Sequence, residues 1–323
     1  MKQPLHILLC SPRGFCAGVD RAIAMVETAI LKFGAPVYVR HEIVHNRTVV
    51  ERLRELGAVF VEQLADIPDT SRPVIFSAHG VSKAVVAEAA ERGFTVVDAT
   101  CPLVSKVHHQ AEMMFEQGHH IIMIGHAGHQ EVLGTLGQIP AEAGTLVQTL
   151  ADAGAVQPPA RPLALVTQTT LSVDETQGII AVLQARFPDI KLPKKDDICY
   201  ATTNRQAAIK SIAGRCDALV VMGAPNSSNS RQLVEVARQQ GCGRAILIQT
   251  PEELAAVDLS GVVTLGLSAG ASAPEALVQG VIEVLRQTHE VTVEEVVTAV
   301  ENLTFKMPQG LTQMEPVREP MAA

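Results

Sequence analysis

The chain has 323 residues, 47% of them hydrophobic, with 34 acidic against 26 basic side chains and a formal net charge of −8. That balance argues against nucleic acid or an anionic membrane as a partner, and an aromatic content of 3% with no Trp argues against a base-stacking surface. No apolar run approaches the roughly 20 residues that span a bilayer, and the first ten residues lack a signal-peptide pattern. Together these features predict a cytoplasmic protein. In that compartment the six cysteines (Cys10, Cys16, Cys101, Cys199, Cys216 and Cys242) read as ligands, catalytic thiols or core residues rather than disulfides.

Short β-rich runs alternate with amphipathic stretches. In chain order the sequence predicts a strand at 5–9, a helix at 17–33, a strand at 37–39, a helix at 49–56 and strands at 59–61 and 74–76. A helix at 84–92, a strand at 95–97, a helix at 103–117 and strands at 121–124 and 163–166 follow. The series continues with a helix at 174–187, a strand at 219–222, a helix at 230–240, strands at 245–248 and 262–265, and a helix at 275–287. Gly34, Gly57, Gly93, Gly118 and Gly241 stand where helices stop. Continuous apolar strands separated by helices indicate parallel α/β sheets. Ligands of such sheets sit beyond the carboxyl ends of the strands, and the segments there are rich in small polar residues. They are 77–82, 125–131, 168–172, 226–230 and 268–272. Five such loops suggest one shared polar cavity. The segment after about Val300 is rich in Pro, Met, Gln and Glu and is expected to be extended or partly disordered.

Cys16, Cys101 and Cys199 each close a polar or strand-end segment and open a helix-like stretch, Cys101 directly before Pro102. Free N–H groups and partial positive charge at a helix start favour a thiolate, the form that binds iron. The spacings, 101 − 16 = 85 and 199 − 101 = 98 residues, are each about one domain. They suggest three similar α/β modules around a centre, each giving one cysteine: 1–100, whose first strand is free to join the third module, then 101–198 and 199–288, with a C-terminal tail at 289–323. Three thiolates are one short of the usual four of a four-iron cluster, which leaves one iron open. Core filler is the ordinary alternative for any of these cysteines, and it fits Cys10, Cys216 and Cys242, which lie within or beside apolar runs. No C-x-x-C pair strengthens the metal reading.

Several local segments carry more information. Pro12-Arg-Gly-Phe-Cys16-Ala-Gly-Val-Asp-Arg-Ala22, His41-Glu-Ile-Val-His45-Asn46, Ser77-Ala-His79-Gly-Val-Ser82 and Asp98-Ala-Thr-Cys101-Pro-Leu-Val104 closely resemble the 4-hydroxy-3-methylbut-2-enyl diphosphate reductase family. The likeness continues through 125–131, 167–172, 196–205, 227–230 and 269–274, in order. The resemblance implies an iron–sulfur oxidoreductase of the non-mevalonate route of isoprene biosynthesis. It implies three α/β modules in a trefoil around a central 4Fe-4S cluster held by Cys16, Cys101 and Cys199, with the fourth iron open to substrate. His45, His79 and His129 are then expected at the diphosphate. Thr169, Ser227, Ser228, Asn229 and Ser272 complete the substrate shell, and Glu131 supplies protons. Ferredoxin or flavodoxin is the implied electron donor. One departure is visible. Many members have proline immediately before the glutamate, where this chain has Gln130, and losing that fixed φ is predicted to loosen the Glu131 loop without removing the acid.

The residues support that chemistry. The reaction is reductive dehydroxylation, giving isopentenyl and dimethylallyl diphosphate and water. Protonation lets the hydroxyl leave as water, a general-acid role for Glu131, with Thr169 placed to orient the proton. No G-x-x-x-x-G-K-[ST] loop is present, so histidines, hydroxyls and helix N-termini must hold the diphosphate. Each residue has a plainer alternative: loop histidines, a turn and helix cap at 226–230, a helix cap at Glu131, strand-end hydroxyls at Thr169 and Ser272. Two other functions compete. His41-Glu42-x-x-His45 matches the zinc-hydrolase pattern, but it follows a strand and precedes an N-cap asparagine, the wrong context for a zinc helix. A non-catalytic iron–sulfur redox sensor would need the three cysteines but neither Glu131 nor the Ser-Ser-Asn segment.

Overall fold

The structure is a computed structural model and describes residues 2–308 and 311. It contains three sheets in which every strand pairing is parallel. The first to form along the chain holds β2 (Val37–Arg40), β3 (Ala58–Val61), β4 (Val74–Phe76) and β5 (Val96–Asp98), in the order β3-β2-β4-β5. The second holds β6 (His120–Ile124), β7 (Gly144–Val147) and β8 (Leu163–Thr167), in the order β7-β6-β8. The third is five-stranded, β10-β9-β11-β1-β12, from β1 (Gln3–Ser11), β9 (Ala218–Met222), β10 (Ala245–Ile248), β11 (Thr264–Ala269) and β12 (His289–Val297). The chain's first strand thus sits in the sheet built from its last third, between β11 and β12.

Among the described residues ten α-helices cover the sheets: α1 (Ala17–Phe33), α2 (Arg47–Glu55), α3 (Lys83–Glu91), α4 (Pro102–Glu116), α5 (Gln130–Leu136), α6 (Leu150–Ala155), α7 (Val173–Arg186), α8 (Tyr200–Ile212), α9 (Ser228–Gln239) and α10 (Glu275–Thr288). Strand side chains alternate between faces, so a continuous apolar strand needs cover on both. The middle sheet shows this plainly. Ile121, Met123 and Val166 pack with Val107 and Met114 of α4, while Ile122, Ile124 and Leu165 pack with Ile179 and Leu183 of α7. The five-stranded sheet is covered in the same way by α10 on one face and by α8 and α9 on the other. The five glycines expected to stop helices all adopt positive φ, from 70° to 108°, a conformation that costs other residues.

All ten expected strands form. Two strands were not expected. β7 is a short, half-exposed edge strand. β12 occupies residues assigned to the tail, and its side chains are mostly exposed because it pairs only with β1. Residues 298–308 carry no regular structure. The rest of the expected extended or disordered tail, 309, 310 and 312–323, lies outside the described residues. Among the described residues no helix is long and apolar enough to cross a membrane.

Candidate active site

Parallel strands deliver their carboxyl ends to one edge, and here the edges of all three sheets face one cavity. Cys16, Cys101 and Cys199 line it, with His45, His79, His129, Glu131, Thr169, Ser227, Ser228, Asn229 and Ser272. The structure therefore brings together all twelve residues expected at the cluster, the substrate and the proton transfer: Cys199 comes from the segment between α7 and α8, and the others follow β1, β2, β4, β5, β6, β8, β9 and β11.

The three cysteines are the N-cap residues of α1, α4 and α8. Cys199 Sγ accepts from Thr202 N at 3.4 Å and lies 3.2 Å from Thr202 Oγ1. Thiolates were expected at these helix starts, but burial is the larger force. It pushes Cys101 up to about 12 and Cys199 up to about 11, against the downward pull of the N–H groups of Leu103 and Thr202. An incoming metal must displace those protons.

Three cysteine sulfurs lining one cavity are donors of the kind that an iron–sulfur group uses. Among the described residues no three His, Cys, Asp or Glu side chains are placed to hold a single metal ion. Gly18 supplies the close approach. A Cβ there would stand 2.7 Å from Cys101 Sγ and 3.8 Å from Cys16 Sγ, so only glycine lets the first turn of α1 run beside both sulfurs. Gly18 was quoted in a sequence motif but given no role, because nothing in composition reports such proximity.

Opposite the sulfurs stand three imidazoles. His45 and His79 stack with centroids 4.2 Å apart, and His129 meets both edge-on at 5.8 Å. Burial and the neighbouring histidines push His79 well below its ordinary value, and the same causes hold His129 at about 4. His129 caps α5, its Nδ1 accepting from Glu131 N at 3.2 Å, which places the ring proton of the neutral form on Nε2. His45 Nδ1 is held 2.9 Å from Glu42 Oε2, which also accepts from Asn226 Nδ2 at 3.0 Å. That contact keeps Glu42 below the usual carboxylate range and orients the ring. Glu42, which the sequence offered only as part of a zinc pattern, and Asn226, which it offered only as part of a polar loop, thus support the ring.

Zinc-hydrolase geometry is absent. Residues 41–45 form a loop, His41 has φ 58°, and its Nδ1 pairs with Glu62 at 2.8 Å. The two histidines do not share a helix face.

Glu131 is 2% exposed. Its Oε1 accepts from Thr169 N at 2.6 Å and its Oε2 from Thr169 Oγ1 at 3.0 Å. Burial outweighs these bonds and raises the carboxyl to about 7, so near neutrality it retains a proton to give. Gln130 is the first residue of α5, and the Glu131 carboxyl beyond it is held by both hydrogen bonds from Thr169.

Ser227 caps α9, accepting from Ser230 N at 3.3 Å. Ser228 and Asn229 are nevertheless buried in the cavity wall. Asn229 Oδ1 accepts from Ala271 N at 2.9 Å, and Ser272 Oγ donates to His45 O at 2.9 Å. The capping and cavity-lining readings of 227–230 therefore coexist. Gln168, fully buried, joins three of the loops: it accepts from His126 N at 3.0 Å and donates to Thr170 Oγ1 at 2.9 Å and to Ser228 Oγ at 3.2 Å.

Comparison with known proteins adds an independent line. The family model described as LytB protein matches residues 7–286. A 4-hydroxy-3-methylbut-2-enyl diphosphate reductase of Ruegeria pomeroyi is 61% identical over 97% of this chain and 99% of its own length. One of Paracoccus denitrificans is 58% identical over the same shares. Among solved structures, the E-1-hydroxy-2-methyl-but-2-enyl-4-diphosphate reductase of Plasmodium falciparum superposes with a TM-score of 0.92 at 37% identity, covering 96% of this chain and 97% of that one.

Proposed function

The chain belongs to the LytB family, and from that premise we propose how its cavity performs the family's reaction. The chain is an iron–sulfur oxidoreductase of the non-mevalonate pathway, and its activity is the reduction of 4-hydroxy-3-methylbut-2-enyl diphosphate. Cys16, Cys101 and Cys199 would hold a 4Fe-4S cluster, three thiolates being one short of the usual four. When bound, the cluster supplies electrons and Lewis acidity at the iron left open.

The remaining steps belong to the chain. His45, His79 and His129, with Ser227, Ser228, Asn229 and Ser272 and the first N–H groups of α9, receive the diphosphate. Its negative charge favours protonated imidazoles, so histidines that burial keeps neutral take up protons as the ligand binds. Glu131 gives one proton to the hydroxyl oxygen, the C–O bond breaks and water leaves; the two electrons remain with the allylic carbons, and a second proton from solvent adds to carbon to give either product. Thr169 holds the carboxyl in place for the first transfer. The walls around Glu131 exclude competing water. Electrons come from ferredoxin or flavodoxin, as the sequence resemblance implies, and the enzyme works in the cytoplasm.

The observation that carries this reading is the meeting of three helix-capping cysteines and the buried Glu131 in one cavity. Anaerobically purified protein given a chemical one-electron reductant should convert the hydroxylated diphosphate into isopentenyl and dimethylallyl diphosphate. The free alcohol without its diphosphate should turn over at least roughly 100-fold more slowly, because remote binding energy is lost. Equal turnover of both would remove the histidine and serine cluster from substrate binding.

A further inference from the structure

The segment after β12 bonds directly to α1 and α8, and through Arg21 of α1 it is linked to the loop before Cys101. It begins tethered: Thr298 N and Thr298 Oγ1 donate to Ser11 O at 2.8 and 3.1 Å. It ends docked, with Met307 and Leu311 packed on the apolar core beneath α1. Between these points two arginines reach it.

Arg205 of α8 is fully buried. Its Nε and one terminal nitrogen donate to Gly14 O at 3.0 and 2.7 Å, and the same terminal nitrogen donates to Phe15 O at 3.1 Å. The other terminal nitrogen donates to Ala201 O at 2.9 Å and to Glu301 Oε1 at 3.0 Å. Glu301 is largely covered and also accepts from Asn204 Nδ2 at 3.0 Å. One guanidinium therefore ties the loop before Cys16, the first turn after Cys199 and the C-terminal segment. Arg21 of α1 makes the complementary tie, from Nε to Lys306 O at 3.0 Å and from a terminal nitrogen to Thr100 O, beside Cys101, at 3.1 Å.

We infer that residues 298–307 form a buckle that holds the three cysteine loops in register, with Arg205, Glu301 and Arg21 as its positioning residues. This rests on the reading of Cys16, Cys101 and Cys199 as cluster ligands and deepens it by assigning cluster retention to the chain's end. The physical reason is the cost of an uncompensated buried charge. Without Glu301, Arg205 keeps only carbonyl partners, and the Cys16 and Cys199 loops lose their common anchor. The three sheets do not depend on these contacts, since their cores are filled by other residues.

The test uses the full-length protein purified anaerobically. Iron transfer to a chelator is followed by bleaching of the cluster absorption, and alkylation of each cysteine by mass spectrometry. Glu301→Ala and Arg21→Ala should lose iron roughly tenfold faster or more and expose Cys16, Cys101 and Cys199, with Cys216 unchanged. Glu301→Gln, which keeps the volume and one acceptor, should fall between. It carries the test if alanine loosens the whole fold, as judged by circular dichroism. Arg186→Ala, which loses bonds to Ala153 O and Val156 O far from the cavity, should match the wild type. Iron release and alkylation at wild-type rates in folded Glu301→Ala would overturn the buckle. A wild type with no iron or sulfide would overturn the cluster reading instead. The alkylation pattern would then still decide whether the buckle shields these thiols.

Discussion

The six cysteines form two groups of three, and burial alone does not tell them apart. Cys10, Cys216 and Cys242 lie together under the five-stranded sheet, with Cys216 and Cys242 sulfurs 3.9 Å apart. Burial pushes Cys10 and Cys216 up to about 12, much as it does Cys101. Two other features separate the groups. Cys16, Cys101 and Cys199 sit at helix starts, and they face a cavity shared with histidines and an acid. The lesson is that the three thiols proposed as ligands are marked by their place at helix starts and by their neighbours across the cavity, since raised affinity for a proton is common to both groups.

The comparison breaks most sharply on substitution of the sulfurs. Serine at Cys16, Cys101 or Cys199 should abolish both iron content and turnover. Cys216→Ser or Cys242→Ala should leave both intact and cost at most about 1–2 kcal/mol in thermal or urea unfolding. Retained iron in all three ligand variants would dissolve the distinction.

The next effect concerns the acid. Glu131→Gln should keep the cluster spectrum and lower turnover by about 10²–10⁴-fold. The pH dependence has a definite sign. The folded-state pKa of about 7 lies above the ordinary 4.5, so the native state holds this proton more tightly than the unfolded chain. The resulting stability is full below the unfolded value. It falls as pH rises toward 7, by about 3 kcal/mol in all, and the acid form needed for turnover declines above that point. Denaturant unfolding against pH should show the slope in the wild type and a flatter one in Glu131→Gln. Equal slopes would contradict the assignment.

Gly18→Ala sharpens the contrast from the other side. Its Cβ would fall 2.7 Å from Cys101 Sγ, so one methyl group should lower iron occupancy and cost about 1–3 kcal/mol of stability. Full occupancy would show that the sulfurs have slack. The smallest expected effect is that of Gln130→Pro. Position 130 opens α5, where proline suits the backbone, so the change should be neutral or stabilise by about 0.4–1 kcal/mol, read from the melting temperature.

Much of this was legible in the sequence. Apolar runs such as 121–124 and 163–166 can be buried on both faces only within a parallel sheet, and a parallel sheet sends its loops to one edge. Cys101-Pro102 announces a helix start by itself. What stayed hidden depended on contacts between distant segments. The role of Gly18 exists only because Cys101 folds beside it. Glu42 looked like part of a zinc motif until His41 turned to Glu62 and His45 to Glu42. β12 alternates polar residues with Val over 290–294, a strand signal in retrospect, but its partner is the opening strand nearly 290 residues earlier. Glu301 gave no local sign at all, because its significance comes from a buried arginine about 100 residues away.

The central claim is that three sulfurs hold an iron–sulfur cluster open to a diphosphate substrate. The direct measurement is iron, zinc and sulfide content of anaerobically purified protein with its absorption spectrum, repeated after adding the hydroxylated diphosphate. The account predicts iron and sulfide in comparable amounts and a spectrum that shifts on addition. Stoichiometric zinc without sulfide, or a cluster spectrum indifferent to the diphosphate, would contradict it.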